Sequence, residues 1–140
     1  MARPVAPLSP PAGASVGGRK VYRAMREDPA GGPLIGPTAR MLGVRPDDDI
    51  PVVNGRVSPG TGGMSVAPDS PMNLPSHRRP PKIGGTGKDP VWGIDLDSLG
   101  GDIVFRQDSS KHGLLEPARE MSIEEFQNAL ADLASKWFKR

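Results

Sequence analysis

A quarter of this chain is glycine or proline, 18 and 17 of its 140 residues, and these two residues punctuate helices and strands wherever they fall. Valine, isoleucine, leucine and phenylalanine together hold only 29 positions. The core must therefore be small, and it must use most of them. A single domain is expected at this length. Residues 1–18, built from Pro, Ala, Ser and Gly with little to bury, read as a flexible arm outside the fold, which leaves 19–140 as the domain. Cysteine is absent, which excludes disulfide staples, thiolate metal sites and cysteine nucleophiles. No apolar run approaches the roughly 18 residues of a membrane span, and the N-terminal segment lacks the apolar stretch of a secretory signal. Membrane partners are not expected, and any export would use a route that does not read such a signal.

Short strand signals dominate the pattern. Lys20-Val21-Tyr22-Arg23-Ala24-Met25 alternates at period two and stops at the turn Glu27–Gly32, which predicts a half-buried strand with Val21 and Arg23 on one face and Tyr22 on the other. Pro37–Leu42, with Pro in its first turn and Gly43 at its exit, predicts a short helix. Ile50–Val53 reads as an extended piece turned back by Asn54-Gly55, with Arg56–Ser58 as its return. Met64–Ala67, Trp92–Leu96 and Ile103–Arg106 are further strands. Residues Ser70–Pro90 read as a long surface loop, functional or mobile at that length. Ser122 and Glu125 form a capping box ahead of Phe126, Ala129, Leu130, Leu133, Ala134 and Trp137 at helical spacing, with Lys136, Lys139 and Arg140 complementing the helix end. Together these predict an α+β fold: a small, split core of short antiparallel strands with the short helix and the C-terminal helix packed on it.

The chemistry centres on Asn54–Val66, a glycine-dense turn that delivers one hydroxyl, Ser65, to an apolar strand. Such backbone can approach a ligand closely, although a plain connection is the commoner use of glycine runs. A serine-hydrolase reading fails because no Gly stands two residues after Ser65. Gly84-Gly85-Thr86-Gly87-Lys88 imitates a phosphate loop, but Asp89 stands where Ser or Thr should hold magnesium and no helix pattern follows. His112 and Glu116 have the spacing of two metal ligands on a helix, yet Gly113 and Pro117 oppose a helix and no third ligand matches, so no metal is expected.

Arg3, Arg19, Lys20, Arg23 and Arg26 precede the first acid, and His77-Arg78-Arg79 with Lys82 and Lys88 forms a second basic cluster, which reads equally well as a solvated face. With Tyr22 as the one aromatic nearby, a nucleic-acid groove is disfavoured. A strand-borne arginine, a glycine-rich turn with a serine and late polar groups can instead share a dianionic dinucleotide: guanidinium forks pair with phosphate, and the hydroxyl and polar groups take ribose. No Gly-x-Gly-x-x-Gly follows a strand, so the binding is not of the Rossmann kind.

Val21-Tyr22-Arg23-Ala24, Arg45, Pro59-Gly60-Thr61-Gly62-Gly63-Met64-Ser65-Val66, Gln107-Asp108-Ser109 and His112 through Pro117-Ala118 occur in the order of a known family. From about Val21 to the final helix, the chain resembles the ADP-ribosyltransferase-like toxins exported by type VI secretion, whose fold is similar to that of NAD-dependent toxins of the diphtheria class. The resemblance implies NAD as cofactor and a split-sheet fold of that kind. It also implies that Arg23 grips an NAD phosphate or ribose, that Ser65 with Met64 beside it positions the nicotinamide ribose, and that Arg45 is a further arginine tied to toxicity. Gln107 and His112 match the family's late polar residues, and Glu116 is the nearest candidate for a catalytic glutamate, so these three would orient the reacting end. It further implies action on an unidentified cytoplasmic target and a cognate immunity protein or antitoxin as partner, drawn to the mouth formed by Arg45, the Gly60–Ser65 turn and the basic Ser70–Pro90 loop. A non-catalytic toxin or interaction module that keeps the fold is the alternative.

Overall fold

The computed structural model describes residues 18–140; the arm expected over 1–18 lies, except for Gly18, outside them. The expected α+β class is found. The strands in chain order are β1 (Lys20–Ala24), β2 (Arg56–Val57), β3 (Met64–Pro68), β4 (Val91–Asp95), β5 (Ile103–Gln107), β6 (Gly113–Pro117) and β7 (Met121–Ser122), followed by the helix α1 (Ile123–Ala131) and the strand β8 (Phe138–Lys139). Six strands form one sheet in the order β5-β6-β3-β1-β4-β8, and every neighbouring pair is antiparallel. The short ribbon β2-β7 stands apart.

The sheet is split at its centre. Strand β1 pairs with β4 along its whole length, from Lys20–Asp95 to Ala24–Val91, but meets β3 only at Val21–Pro68 and Tyr22–Ala67. Beyond those two pairs β1 and β3 diverge, and β3 turns its pairing to β6 at Met64–Leu115, Ser65–Leu114 and Val66–Gly113. The notch between the diverging strands is where the site forms.

Alternation assigns the two faces. Val21, Met25, Met64, Val66, Trp92, Ile94 and Leu115 join one core, against which Phe126 and Leu130 of α1 pack. Tyr22, Ala67 and Val91 point the other way and are covered by Leu74 and the half-buried Ile83. The helix begins where its capping box requires, with Glu125 N–H donating to Ser122 Oγ (3.0 Å) and Ser122 N–H donating to Glu125 Oε1 (3.1 Å).

Four expectations change. Pro37–Leu42 is a closed loop rather than a helix: Thr38 Oγ1 takes the Arg40 N–H, Leu42 N–H donates to the Leu34 carbonyl, and the carbonyls of Thr38 and Met41 are taken by Arg23. Local side-chain bonds and a buried guanidinium outcompete a single helical turn. Ser70–Pro90 carries three 3-10 turns, Pro71–Asn73, Ser76–Arg78 and Pro81–Ile83, and buries Leu74 and Asp89, so it is a packed layer and not a loose loop. The glycines of its Gly84–Lys88 run serve that packing, since a Cβ at Gly85 would stand 2.1 Å from the Arg79 carbonyl oxygen. Strand β6 lies inside the sheet where no strand was expected. The C-terminal helix ends at Ala131, and after a 3-10 turn at Ala134–Lys136 the chain adds β8 to the edge of β4. Trp137 stays in the core, but Lys139 and Arg140 leave the helix end; Lys139 instead pairs with Glu27 (3.0 Å).

Candidate functional site

Arg23 leaves β1 at the level where β3 turns away, and its guanidinium fills the space that a continued ladder would have closed. It is 6% exposed. Nη1 donates to the Ser65 carbonyl (2.8 Å), while Nε and Nη2 donate to the Met41 carbonyl (3.2 and 3.0 Å) and Nη2 also reaches Thr38 (3.4 Å). The arginine thereby bolts the Pro37–Leu42 loop to β3. Burial lowers its pKa from the usual guanidinium range to about 10; Arg78 adds to the fall, Asp49 opposes it and Arg45 adds further.

Around this guanidinium lies a cleft of about 280 Å³. It gathers Arg23, Arg45, Ser65 and His112 from four separate segments. Ser65 is exposed on β3. His112 stands at the start of β6, its Nδ1 against the Asp108 carboxylate at 2.8 and 3.0 Å. Arg45 is 47% exposed and held by Asp49, which accepts from the Arg45 backbone N–H (2.6 Å), Nε (3.2 Å) and Nη2 (2.8 Å). Burial pushes the Asp49 carboxyl upward, but these bonds outweigh it and hold the group below the usual carboxylate range.

Three other candidates lie outside the cleft lining. Met64 is fully buried in the core, one residue before Ser65 and on the opposite face of β3. Gln107 is exposed at the end of β5, where its Oε1 accepts from Arg19 and its amide donates to the Ser109 carbonyl (2.9 Å). Glu116 is 3% exposed; it accepts from Arg106 Nη2 (2.7 Å) and Nε (2.8 Å) and from the Gly60 N–H (3.3 Å). Because β6 is a strand, His112 and Glu116 share no helical face. The glycine turn packs closely against its neighbours. A Cβ at Gly62 would stand 2.3 Å from the Asp49 carbonyl oxygen, and one at Gly63 would stand 2.3 Å from that of Leu115. These glycines let the turn lie against the backbone of Asp49 and of Leu115.

The cleft contains residues that the pattern alone did not single out, Asp49, Asn73 and Lys111, together with His77 and Arg78 of the basic cluster that reads equally well as a solvated face. Arg78 Nη2 donates to the carbonyl of Ala24 (2.8 Å) and to that of Ala39. Burial lowers its pKa, with Asp89 opposing the fall. Asp89 in turn is 7% exposed and receives both Nε (2.8 Å) and Nη2 (2.6 Å) of Arg40. Among the described residues, the lining thus holds four permanent cations, Arg23, Arg45, Arg78 and Lys111, against one carboxylate, Asp49. Such a cleft attracts anions and can pair with phosphate through guanidinium donors.

The family model described as the Tse2 ADP-ribosyltransferase toxin matches residues 20–140. No curated protein and no solved structure matches the chain. The match begins at the first residue of β1 and runs through β8, so it includes every segment that builds the notch, and the chain belongs to the Tse2 ADP-ribosyltransferase toxin family.

Proposed function

We propose that this toxin is a cytotoxic effector that binds NAD in the cleft between β1 and β3 and cleaves it there, transferring its ADP-ribose to a cytoplasmic target. The observation that most supports this reading is the convergence of Arg23, Arg45, Ser65 and His112 on a cleft whose lining is strongly cationic. NAD supplies the bond between nicotinamide and ribose; the residues present fit its pyrophosphate and ribose groups. Arg45 and Lys111, both solvent-accessible, would pair with phosphate. Arg23 already serves three carbonyls, so its contribution is the positive field of a buried guanidinium rather than a grip. Ser65 would hold a ribose hydroxyl, and His112, steadied by Asp108, would face the reacting end.

The test is release of nicotinamide from NAD by the purified protein, with labelled NAD and cell lysate to reveal the acceptor. Ser65→Ala should lower release by about tenfold or more at unchanged melting temperature, the effect of losing one positioning hydrogen bond to the ribose. Equal release by both forms would remove Ser65 from the mechanism. A second reading, a non-catalytic toxin acting by binding, is favoured by one observation: Glu116, the nearest candidate for a catalytic glutamate, is buried against Arg106 away from the cleft. Growth arrest by a folded protein that neither releases nicotinamide nor shows a thermal shift at millimolar NAD would establish that reading instead.

A producing cell must survive the toxin, so we also propose delivery through type VI secretion and a cognate immunity protein or antitoxin that covers the cleft mouth. Lys82 and Lys88, exposed on the Ser70–Pro90 layer that also supplies Arg78 to the cleft, would steer an acidic surface toward it. Coexpression with the product of the adjacent reading frame should restore growth and copurify both chains, with association slowing as salt rises. A neighbour that neither binds nor protects would sink the idea, and killing that needs no secretion machinery would place the chain in an intracellular pair.

A further inference from the structure

We propose that Asp49 is the positioning and specificity-determining residue of the cleft: it holds Arg45 in one orientation and restrains the site from trapping simple anions. This deepens the NAD reading and rests on it for its catalytic half, but its electrostatic half stands alone. Three observations converge on this one carboxylate. Its side chain is 13% exposed yet lines the cleft, where, among the described residues, it is the one acid beside four permanent cations. It takes three hydrogen bonds from Arg45, through the backbone N–H and two guanidinium nitrogens, so both the start of the Arg45 residue and its tip are fixed from a single group. Its backbone carbonyl receives the Gly63 N–H (3.0 Å) at the place where Gly62 comes closest, which ties the turn ahead of Ser65 to the same residue.

The geometry gives Asp49 two consequences of opposite sign. An Arg45 engaged fork-to-fork with a carboxylate has few donors left, so it meets a ligand in one direction only. A negative charge inside the cleft also lowers the potential that Arg23, Arg78 and Lys111 would otherwise present to any phosphate. Asp47 and Asp48, its neighbours in the same turn, do not line the cleft. The sequence Asp47-Asp48-Asp49 therefore uses its last acid for the site, and the four-residue step from Arg45 is what brings the two side chains together.

Inorganic pyrophosphate, titrated into the full chain by calorimetry, separates these effects from NAD chemistry. Asp49→Asn keeps an acceptor oxygen and removes the charge; it should bind pyrophosphate about tenfold more tightly than the wild type, the order expected for one charge in a partly solvated site. Arg45→Gln should move affinity about tenfold the other way, a reversal that general loosening of the fold cannot produce. Unchanged or weaker pyrophosphate binding by a folded Asp49→Asn protein would overturn the proposal. The positioning half is read from nicotinamide release. Asp49→Asn should lower kcat more than it changes KM, and adding it to Arg45→Gln should cause little further loss, because the two residues act as a unit. Full kcat in Asp49→Asn, or losses that add in the double variant, would refute the positioning role. Should the wild type release no nicotinamide, the NAD reading falls while the pyrophosphate titration still decides whether Asp49 restrains the cleft.

Discussion

Gly63 runs so close to Leu115 that a Cβ would meet its carbonyl oxygen at 2.3 Å and its carbonyl carbon at 2.9 Å. Both are backbone atoms of a strand inside the sheet, so neither can swing aside as a side-chain tip would. Gly63→Ala should destabilise the protein by about 1–3 kcal/mol, the range for overpacking a filled interior, and should shift Ser65, two residues on, with it. Denaturant titration measures the first effect; an unchanged midpoint would show that the two strands part at little cost. The same residue marks a limit of the sequence. A glycine run announces that something must come close, but not whether that is a ligand or another strand. Ser65 and Arg23 stood out because a hydroxyl after a glycine turn and a strand-borne guanidinium carry their chemistry with them, whereas Arg45 stood out only through the family resemblance. Asp49 and Lys111 did not stand out, because among many charges on a surface only tertiary placement distinguishes the pair that faces the cleft.

At the level of elements, period and capping were readable where the residue types themselves alternate or cap. Strand β1 alternates apolar and polar residues, yet it is buried on both faces and not half-buried as expected, because the Ser70–Pro90 layer covers Tyr22; Asn54-Gly55 makes its tight turn with φ of 52° and 75°, the left-handed pair that this dipeptide adopts readily. The start of α1 was equally plain from Ser122 and Glu125. Strand β6 was hidden because it is buried on both faces and flanked by partners, so Gly113-Leu114-Leu115-Glu116-Pro117 shows no alternation. The end of α1 was hidden for another reason. Phe138 turns toward Gly93, where a Cβ would stand 2.6 Å from its ring, and this tertiary pocket draws the last residues out of the helical path into β8. The stripe read for the helix still faces the core. Leu130 is fully buried with Phe126, so Leu130→Ala should cost about 2–5 kcal/mol, and a melting temperature equal to that of the wild type would contradict this packing.

As a whole, the molecule is two half-sheets joined at two residue pairs, Val21–Pro68 and Tyr22–Ala67, and held around the notch by guanidinium groups. Arg23 ties β3 to the Pro37–Leu42 loop, Arg78 ties the Ser70–Pro90 layer to Ala24 and Ala39, and Arg40 closes on Asp89 at the end of that layer. A sheet kept open in this way exposes a cleft without a hinge, but it concentrates positive charge where hydrophobic contact is least. The buried carboxylates must then offset that repulsion. Hydrogen bonds from Arg40 hold Asp89 below its ordinary value of 3.8, against the upward push of burial, and the nearby Arg40, Arg78 and Arg26 charges act in the same direction as the bonds. A carboxyl whose folded pKa is depressed binds fewer protons folded than unfolded as the solution turns acid. Its stabilisation is therefore complete above 3.8 and is lost as pH falls through the folded value. Asp89→Asn should accordingly melt below the wild type at pH 7, and the gap should close as pH drops beneath 3.8. Melting curves of both proteins taken from pH 7 down through the ordinary carboxylate range and below it check this. A gap that stays constant into acid would show that Asp89 supports the cleft wall by shape and hydrogen bonding, with its charge contributing nothing.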